Sequence, residues 1–362
     1  LKFSGMRRCR TAEGEPVTAM PWLLDSLFRP EVARRYKSFL IESGDVMSML
    51  ALTAKKDRDR YSYEDLLPSR QTLFQLAGQF AAIPDKSRSP AQRQIIHLAH
   101  NVHEFEQLLH YFDFARQSFD TGADESLENL VGGHTSIPFS EVLRSAPALA
   151  AEIQRLSASG GPGAASAELG AMVDLLRTAD NASSRAQGLA LLPPPLPEEK
   201  EWLPVGRLLE RSFGSGDLQP AHFAAVAAIE RAAANLSHDG EVAAAADDFR
   251  RAVVSLAQVR GEYAGVPLEL GLLRLNPFYY SLLLYIFSFL LVASMWLRPR
   301  NRWMGRASAI AVTLPSALLV IGIVMRCIIR SRPPVTTLYE TILFITAVAV
   351  LTALFIERVN RQ

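Results

Sequence analysis

Three apolar runs near the C-terminus constrain this chain more than any other feature. Pro277–Leu297 is 21 residues without a charge, Ala307–Met325 is 19 without a charge, and Val335–Ile356 is 22 with a single charge at Glu340. About 20 residues at a rise of 1.5 Å cross a hydrocarbon core roughly 30 Å thick, so each run is long enough to span a bilayer. A buried helical hairpin in a water-soluble core is the competing reading, but three such runs in succession are rare in soluble chains. The flanks agree with spans. Tyr279, Tyr280 and Trp296 sit near the two ends of the first run, as in an aromatic belt. Pro315 falls inside the second run, where a membrane helix tolerates it if neighbours satisfy the freed backbone groups. Pro333-Pro334 closes the second loop, and Pro334 suits the first turn of a third helix beginning near residue 335.

Whole-chain composition hides this division. The 38 Lys+Arg against 37 Asp+Glu leave a net charge of +1, which argues against a nucleic-acid-binding chain. With 49% hydrophobic and 21% charged residues, global disorder is excluded. Charge is dense up to about residue 262 and sparse beyond it. The expectation is an all-α chain with a soluble domain over residues 1–265. A membrane domain follows over 266–362, with helices near 277–297, 307–325 and 335–356. The 362-residue chain opens at Leu1 without a signal peptide and stops at Gln362 just after an apolar run, so it reads as truncated at both ends.

Orientation follows the arginines of the short loops. Arg298, Arg300, Arg302 and Arg306 lie in the first loop, and Arg326, Arg330 and Arg332 in the second. Arg358 and Arg361 close the chain, and Arg274 precedes the first run. A cytoplasmic first loop puts six arginines inside and four outside. That places the long N-terminal region outside the cytoplasm, which requires an export signal upstream of Leu1.

The soluble region reads mostly as helix, since no stretch alternates apolar and polar residues for long. Ser62 with Asp65 resembles a capping box opening a helix from Tyr63 to about Ala82, interrupted early by Pro68. Pro90 opens the clearest helix: Ile95, Leu98, Ala99, Val102, Phe105, Leu109 and Phe112 form one apolar stripe. Alanine-rich stretches near 139–156, 164–177, 220–235 and 240–263 also favour helix. Ser157–Ser166 and Leu191–Pro204, the latter with three consecutive prolines, either divide subdomains or form surface loops of one domain.

Chemistry-bearing residues are few. His97, His100, His103 and His110 spread over the face opposite the stripe, and His103 and His110 lie about 10.5 Å apart along the axis. That exceeds the reach of one mononuclear metal site, so a solvated polar face is the better reading and no metal site is expected. Gly132-Gly133-His134 lacks phosphate-loop spacing, and no nucleophile-elbow, zinc-helix or Walker sequence is present. Cys9, between arginines, has the setting of a low-pKa thiol but stands alone. Cys9 and Cys327 give no zinc spacing and no disulfide framework. No catalytic residue is assigned. Glu340 is different. An ionisable residue within a span is a functional candidate by default, with an interfacial Glu that snorkels to water as the competing reading, and Arg326, Arg330 and Arg332 lie close by in sequence to pair with it or with an anionic ligand.

The stretch RPPVTTLYETILF, from Arg332, resembles the early transmembrane signature of the CcsA/ResC family of cytochrome c biogenesis proteins, a PV(S/T)NLYES run entering a membrane helix. The likeness rests on Pro334, Val335, Thr336, Leu338, Tyr339 and Glu340, with Thr337 standing where the family usually has Asn. EPVTAMPWLLDSLFRPEVARRYKSFLIESGDV and YSYEDLLPSRQTLFQLAGQF more loosely resemble the extracytoplasmic region of large or fused members. The resemblance implies a multi-pass protein of the cytoplasmic (inner) membrane that handles haem at the outer face for attachment to apocytochrome c. It also implies a ResB-type membrane partner, fused upstream or separate. The family's Trp-rich segment and haem-ligating histidines fall beyond Gln362, so this stretch alone is not expected to be catalytic. Haem carries two propionates, and Arg326, Arg330 and Arg332 suit carboxylates. A membrane-anchored helical sensor or binding protein, and half of a secondary transporter coupled through Glu340, are the rival readings.

Overall fold

The computed structural model describes residues 8–53, 59–121, 125–159, 164–214, 216–295 and 302–360. The fold is all-α with a membrane domain. It divides into two compact units, Leu1–Leu256 and Ala257–Gln362.

The first unit runs β1 (Arg8–Arg10), β2 (Pro16–Thr18), α1 (Ala19–Phe28), α2 (Pro30–Ala33), β3 (Phe39–Ile41), α3 (Gly44–Met49), β4 (Asp59–Tyr61), α4 (Tyr63–Leu66), α5 (Arg70–Ala81) and α6 (Pro90–His110). It continues with α7 (Asp113–Arg116), β5 (Phe119–Asp120), α8 (Glu125–Leu130), β6 (Ser136–Ile137), α9 (Phe139–Ser159), α10 (Ala164–Ser183), β7 (Ala190–Leu192), β8 (Leu203–Pro204), α11 (Leu208–Gly214), α12 (Pro220–Ala234) and α13 (Asp239–Val259). Among the described residues the strands form four two-stranded antiparallel sheets. Strands this short carry too little alternation to read from sequence.

Local signals explain the helices. Asp65 N–H donates to Ser62 Oγ (3.1 Å) and Ser62 N–H to Asp65 Oδ2 (2.9 Å), a reciprocal cap that starts α4. Pro68 sits in a 3-10 turn between α4 and α5. Ser89 and Gln92 repeat the reciprocal cap ahead of α6. The α6 stripe is buried, and Phe105 at its centre meets Trp22 (5.9 Å), Phe39 (5.5 Å, edge-on) and Tyr63 (5.8 Å). Phe112 then enters a second core with Phe114, Phe119 and Phe139. His97, His100 and His103 are exposed on the opposite face, and His97 and His103 pair locally with Asn101 and Gln107. Cys9 is a buried core side chain, its Sγ 3.3 Å from Ser38 Oγ.

Leu191–Pro204 joins this second core. Leu192 and Leu203 are buried with residues of α9, α10 and α12, so the helices on either side of the proline run share one interior. Of Ser157–Ser166, residues 160–163 lie outside the described residues. Two buried polar groups went unnoticed in the sequence. Glu230 of α12 accepts from Ser140 N–H (2.8 Å) and Ser140 Oγ (2.5 Å), capping the start of α9, and burial pushes its carboxyl up. His222, fully buried, accepts at Nδ1 from Gln219 N–H (3.0 Å). Its Nε2–H therefore donates to the Pro193 carbonyl (2.9 Å), tying the proline run to α12.

The second unit contains α14 (Val266–Leu275), α15 (Pro277–Met295), α16 (Arg302–Arg330) and α17 (Leu338–Asn360). Three helical segments in it are long and apolar enough to cross a membrane, so this is a membrane protein. Both ends of two helices differ from the expectation: α16 spans Arg302–Arg330 against 307–325, and α17 spans Leu338–Asn360 against 335–356. The second membrane helix continues past Met325 to Arg330, because Arg326–Arg330 keeps helical geometry until Ser331 turns left-handed (φ +49°). The third begins at Leu338, and Pro334 sits in the preceding turn instead of the helix's first turn. Trp296, Arg298 and Arg300 lie outside the described residues, as do the side chains of Arg302 and Arg306.

α15 runs antiparallel to α16. A Cβ at Gly322 would lie 2.9 Å from Pro277 Cγ and 3.0 Å from Phe278 Cε1, so only hydrogen fits where the helices meet. Tyr285 Oη donates to Ser316 Oγ (3.0 Å). Pro315 removes an N–H and frees the carbonyl of Ala311, four residues back. The Ser288 hydroxyl answers it, shared between Ala311 O and its own helix's Leu284 O (2.7 Å).

Two measurements check these contacts. Ser288→Ala should destabilise the folded protein in detergent by about 1 kcal/mol, in the range of interhelical bonds in membranes. In a Pro315→Ala background, where residue 315 regains its N–H, the same change should cost much less in thermal melts. For His222, burial holds the imidazole below the usual histidine range. The native state then binds fewer protons than the unfolded one. Stability is full above the unfolded pKa of about 6.5 and falls as pH drops through it toward the depressed native value. Urea titrations at neutral and mildly acidic pH should show that loss, and H222Q should flatten it.

Candidate functional site

The α16 end and the α17 start build one polar cluster. Arg326 and Arg330 are four residues apart, so they share a face in the last two turns of α16, where a helix terminus favours cations. Ser331 ends the helix, and Pro333-Pro334 turns the chain back. Thr337 then accepts from the Glu340 backbone N–H (3.3 Å), which caps α17. This cap puts Glu340 in the first turn of α17, closer to its start than a helix beginning near Pro334 implies.

The Glu340 side chain is only 4% exposed. Its Oε1 accepts from Arg326 Nε (2.8 Å) and Arg330 Nη1 (3.2 Å), and its Oε2 from Thr336 Oγ1 (2.6 Å). The ring of Tyr339 lies 5.8 Å from the Arg326 guanidinium carbon and 6.3 Å, edge-on, from the Phe278 ring. The cluster thus joins α15, α16 and α17. Thr is among the residue types whose side-chain oxygen accepts a backbone N–H at a helix start, so Thr337 suffices as the cap.

Not every motif residue enters the site. Pro334, Thr336 and Glu340 line one recess with Arg326, Arg330 and Arg332. Tyr339 stands beside it through Arg326. Val335 and Leu338 are exposed, and neither lines the recess. Phe278 and Cys327 also line it, although no sequence pattern marked them; only the close pairing of Pro277-Phe278 with Gly322 brings Phe278 there.

The recess has about 10 Å³ of free space, roughly one water. Glu340 therefore fills it as an internal carboxylate ligand. Two guanidiniums hold the one carboxylate and Arg332 lines the same recess, so the cluster keeps a positive excess. Arg330 is about half-exposed and Arg332 exposed at its mouth. What the arrangement can do chemically is hold a carboxylate or other anion at that outer edge; haem cannot enter the recess itself. Among the described residues, no group of three His, Cys, Asp or Glu side chains is placed to hold a metal ion.

No family model, curated protein or solved structure matches this chain.

Tyr339 provides a clean test of the packing. Y339F keeps the ring and should melt like the native protein. Y339A removes the ring contacts with Arg326 and Phe278 and should cost about 1–2 kcal/mol in thermal unfolding in detergent.

Proposed function

We propose that this chain is the membrane-entry portion of a cytochrome c maturation protein, one that handles haem at the outer membrane face for attachment to apocytochrome c. The observation that carries the reading is that three residues of the family-like run, Thr336, Tyr339 and Glu340, meet the arginines in one cluster. Thr336 and Glu340 form the anion-and-arginine cluster, Tyr339 stacks beside it, and Thr337 caps the helix the run enters. The positive excess at Arg330 and Arg332 suits propionates or an acidic partner surface. The reading places the protein in the cytoplasmic (inner) membrane. It puts the first unit on the extracytoplasmic side, in keeping with six arginines against four in the flanking segments. Its partners are apocytochrome c and a ResB-type membrane protein. The transporter alternative fits the geometry less well. A coupling carboxylate must exchange partners during a cycle, whereas Glu340 is gripped by two guanidiniums and a hydroxyl.

The test is maturation itself. In cells dependent on the complete gene, R326Q/R330Q/R332Q should lower covalent haem in c-type cytochromes while membrane protein level stays normal. Unchanged holocytochrome at normal protein level contradicts the proposal.

A further inference from the structure

The first membrane segment is longer than a bilayer needs. The apolar helical stretch Val266–Ser294 has 29 residues, about 43 Å if straight at 1.5 Å per residue, against a hydrocarbon core of roughly 30 Å. It is not straight. Asn276 adopts the left-handed conformation (φ +40°, ψ +53°), ends α14 by donating its N–H to Leu272 O, and is followed by Pro277. The 19 residues of α15 alone reach about 28 Å, which matches the core. The ten residues of α14 are left over, on the same side as the Arg326, Arg330 and Glu340 cluster, since Pro277 and Phe278 pack on Gly322.

α14 also has two apolar faces. Leu268, Gly271 and Leu272 form the inner, half-buried one, and Gly271 lies against Met325 of α16. Val266, Leu270 and Leu273 share the opposite face at one-turn spacing, and all three are exposed, Leu273 at 69%. Glu269 and Arg274 flank that outer face. A largely apolar helix of this kind, with charges only at the borders of its outer face and tied to a spanning helix at the level where the core ends, is placed to lie in the membrane interface.

We infer that α14 is a membrane-surface helix whose outer face, Val266, Leu270 and Leu273, is covered by the headgroup–acyl boundary of the bilayer. The occupant is lipid because exposed apolar side chains continue along the chain from Leu273 and Leu275 into the spanning helix α15, whose exposed Tyr279 and Tyr280 sit where aromatic side chains mark membrane interfaces. The Asn276 turn lets the chain leave the core and run within the thin interfacial layer. This inference does not depend on the cytochrome c reading.

Spin labels on the full chain in lipid nanodiscs test it. In a C327A background, L273C and L270C are labelled separately, with L290C on α15 as a lipid reference and R250C on α13 as a water reference. For L273C and L270C, oxygen collisions should exceed those of a water-soluble nickel chelate, as at 290 and opposite to 250. Ready access of the chelate overturns the inference, because the face is then in water. Exclusion of both probes also overturns it, because protein then covers the face. A label that disturbs one position leaves the other to report.

Discussion

The placement of α17 in the membrane unit depends on one buried carboxylate answered by two arginines one helical turn apart. Charges at a membrane boundary are costly unless paired, and Glu340 is paired on both oxygens. The pairing orders a sequence of local events. Arg326 and Arg330 extend α16 to its end, Ser331 and Pro333-Pro334 reverse the chain, and Thr337 starts α17 in the register that brings Glu340 back to the arginines. Much of α17 is otherwise exposed apolar surface, so this cluster and Tyr339 are what specify its position beside α16.

α15 and α16 are joined by a different device. In a lipid setting apolar packing gives little preference for one neighbour over another, so small residues and hydroxyls decide the contact. Gly322 sets the distance of approach, and Ser288 supplies the donor that Pro315 takes away from the Ala311 carbonyl. The proline is acceptable in α16 because a serine on α15 stands opposite the gap.

Much of this architecture was legible in the sequence, for identifiable reasons. The apolar runs revealed the spans by length alone, and the Ser62–Asp65 cap and the α6 stripe are local patterns that tertiary structure had no reason to override. Glu340 stood out because it is the single charge in an apolar run, although an acid near a span's end can also simply reach back to interfacial water. Other features needed long-range contacts. Arg326 and Arg330 were assigned to a loop, since charges after an apolar run resemble a helix end, and only their spacing of four hinted at a shared helical face. Ser288, Gly322 and Phe278 are ordinary membrane residues until their partners on the neighbouring helices are known. His222 and Glu230 are buried by segments distant in sequence, the proline run and the start of α9, which no local pattern announces.

The central claim is that the Arg326–Glu340 pair positions α17, and exchanging the charges tests it most directly. Amide exchange in the first turns of α17 would be followed in lipid nanodiscs for R326E, E340R and the double variant. The account predicts faster exchange in each single variant and recovery in the double, where opposite charges meet again. Equal protection in all three, or a double variant as open as the two singles combined, would contradict it.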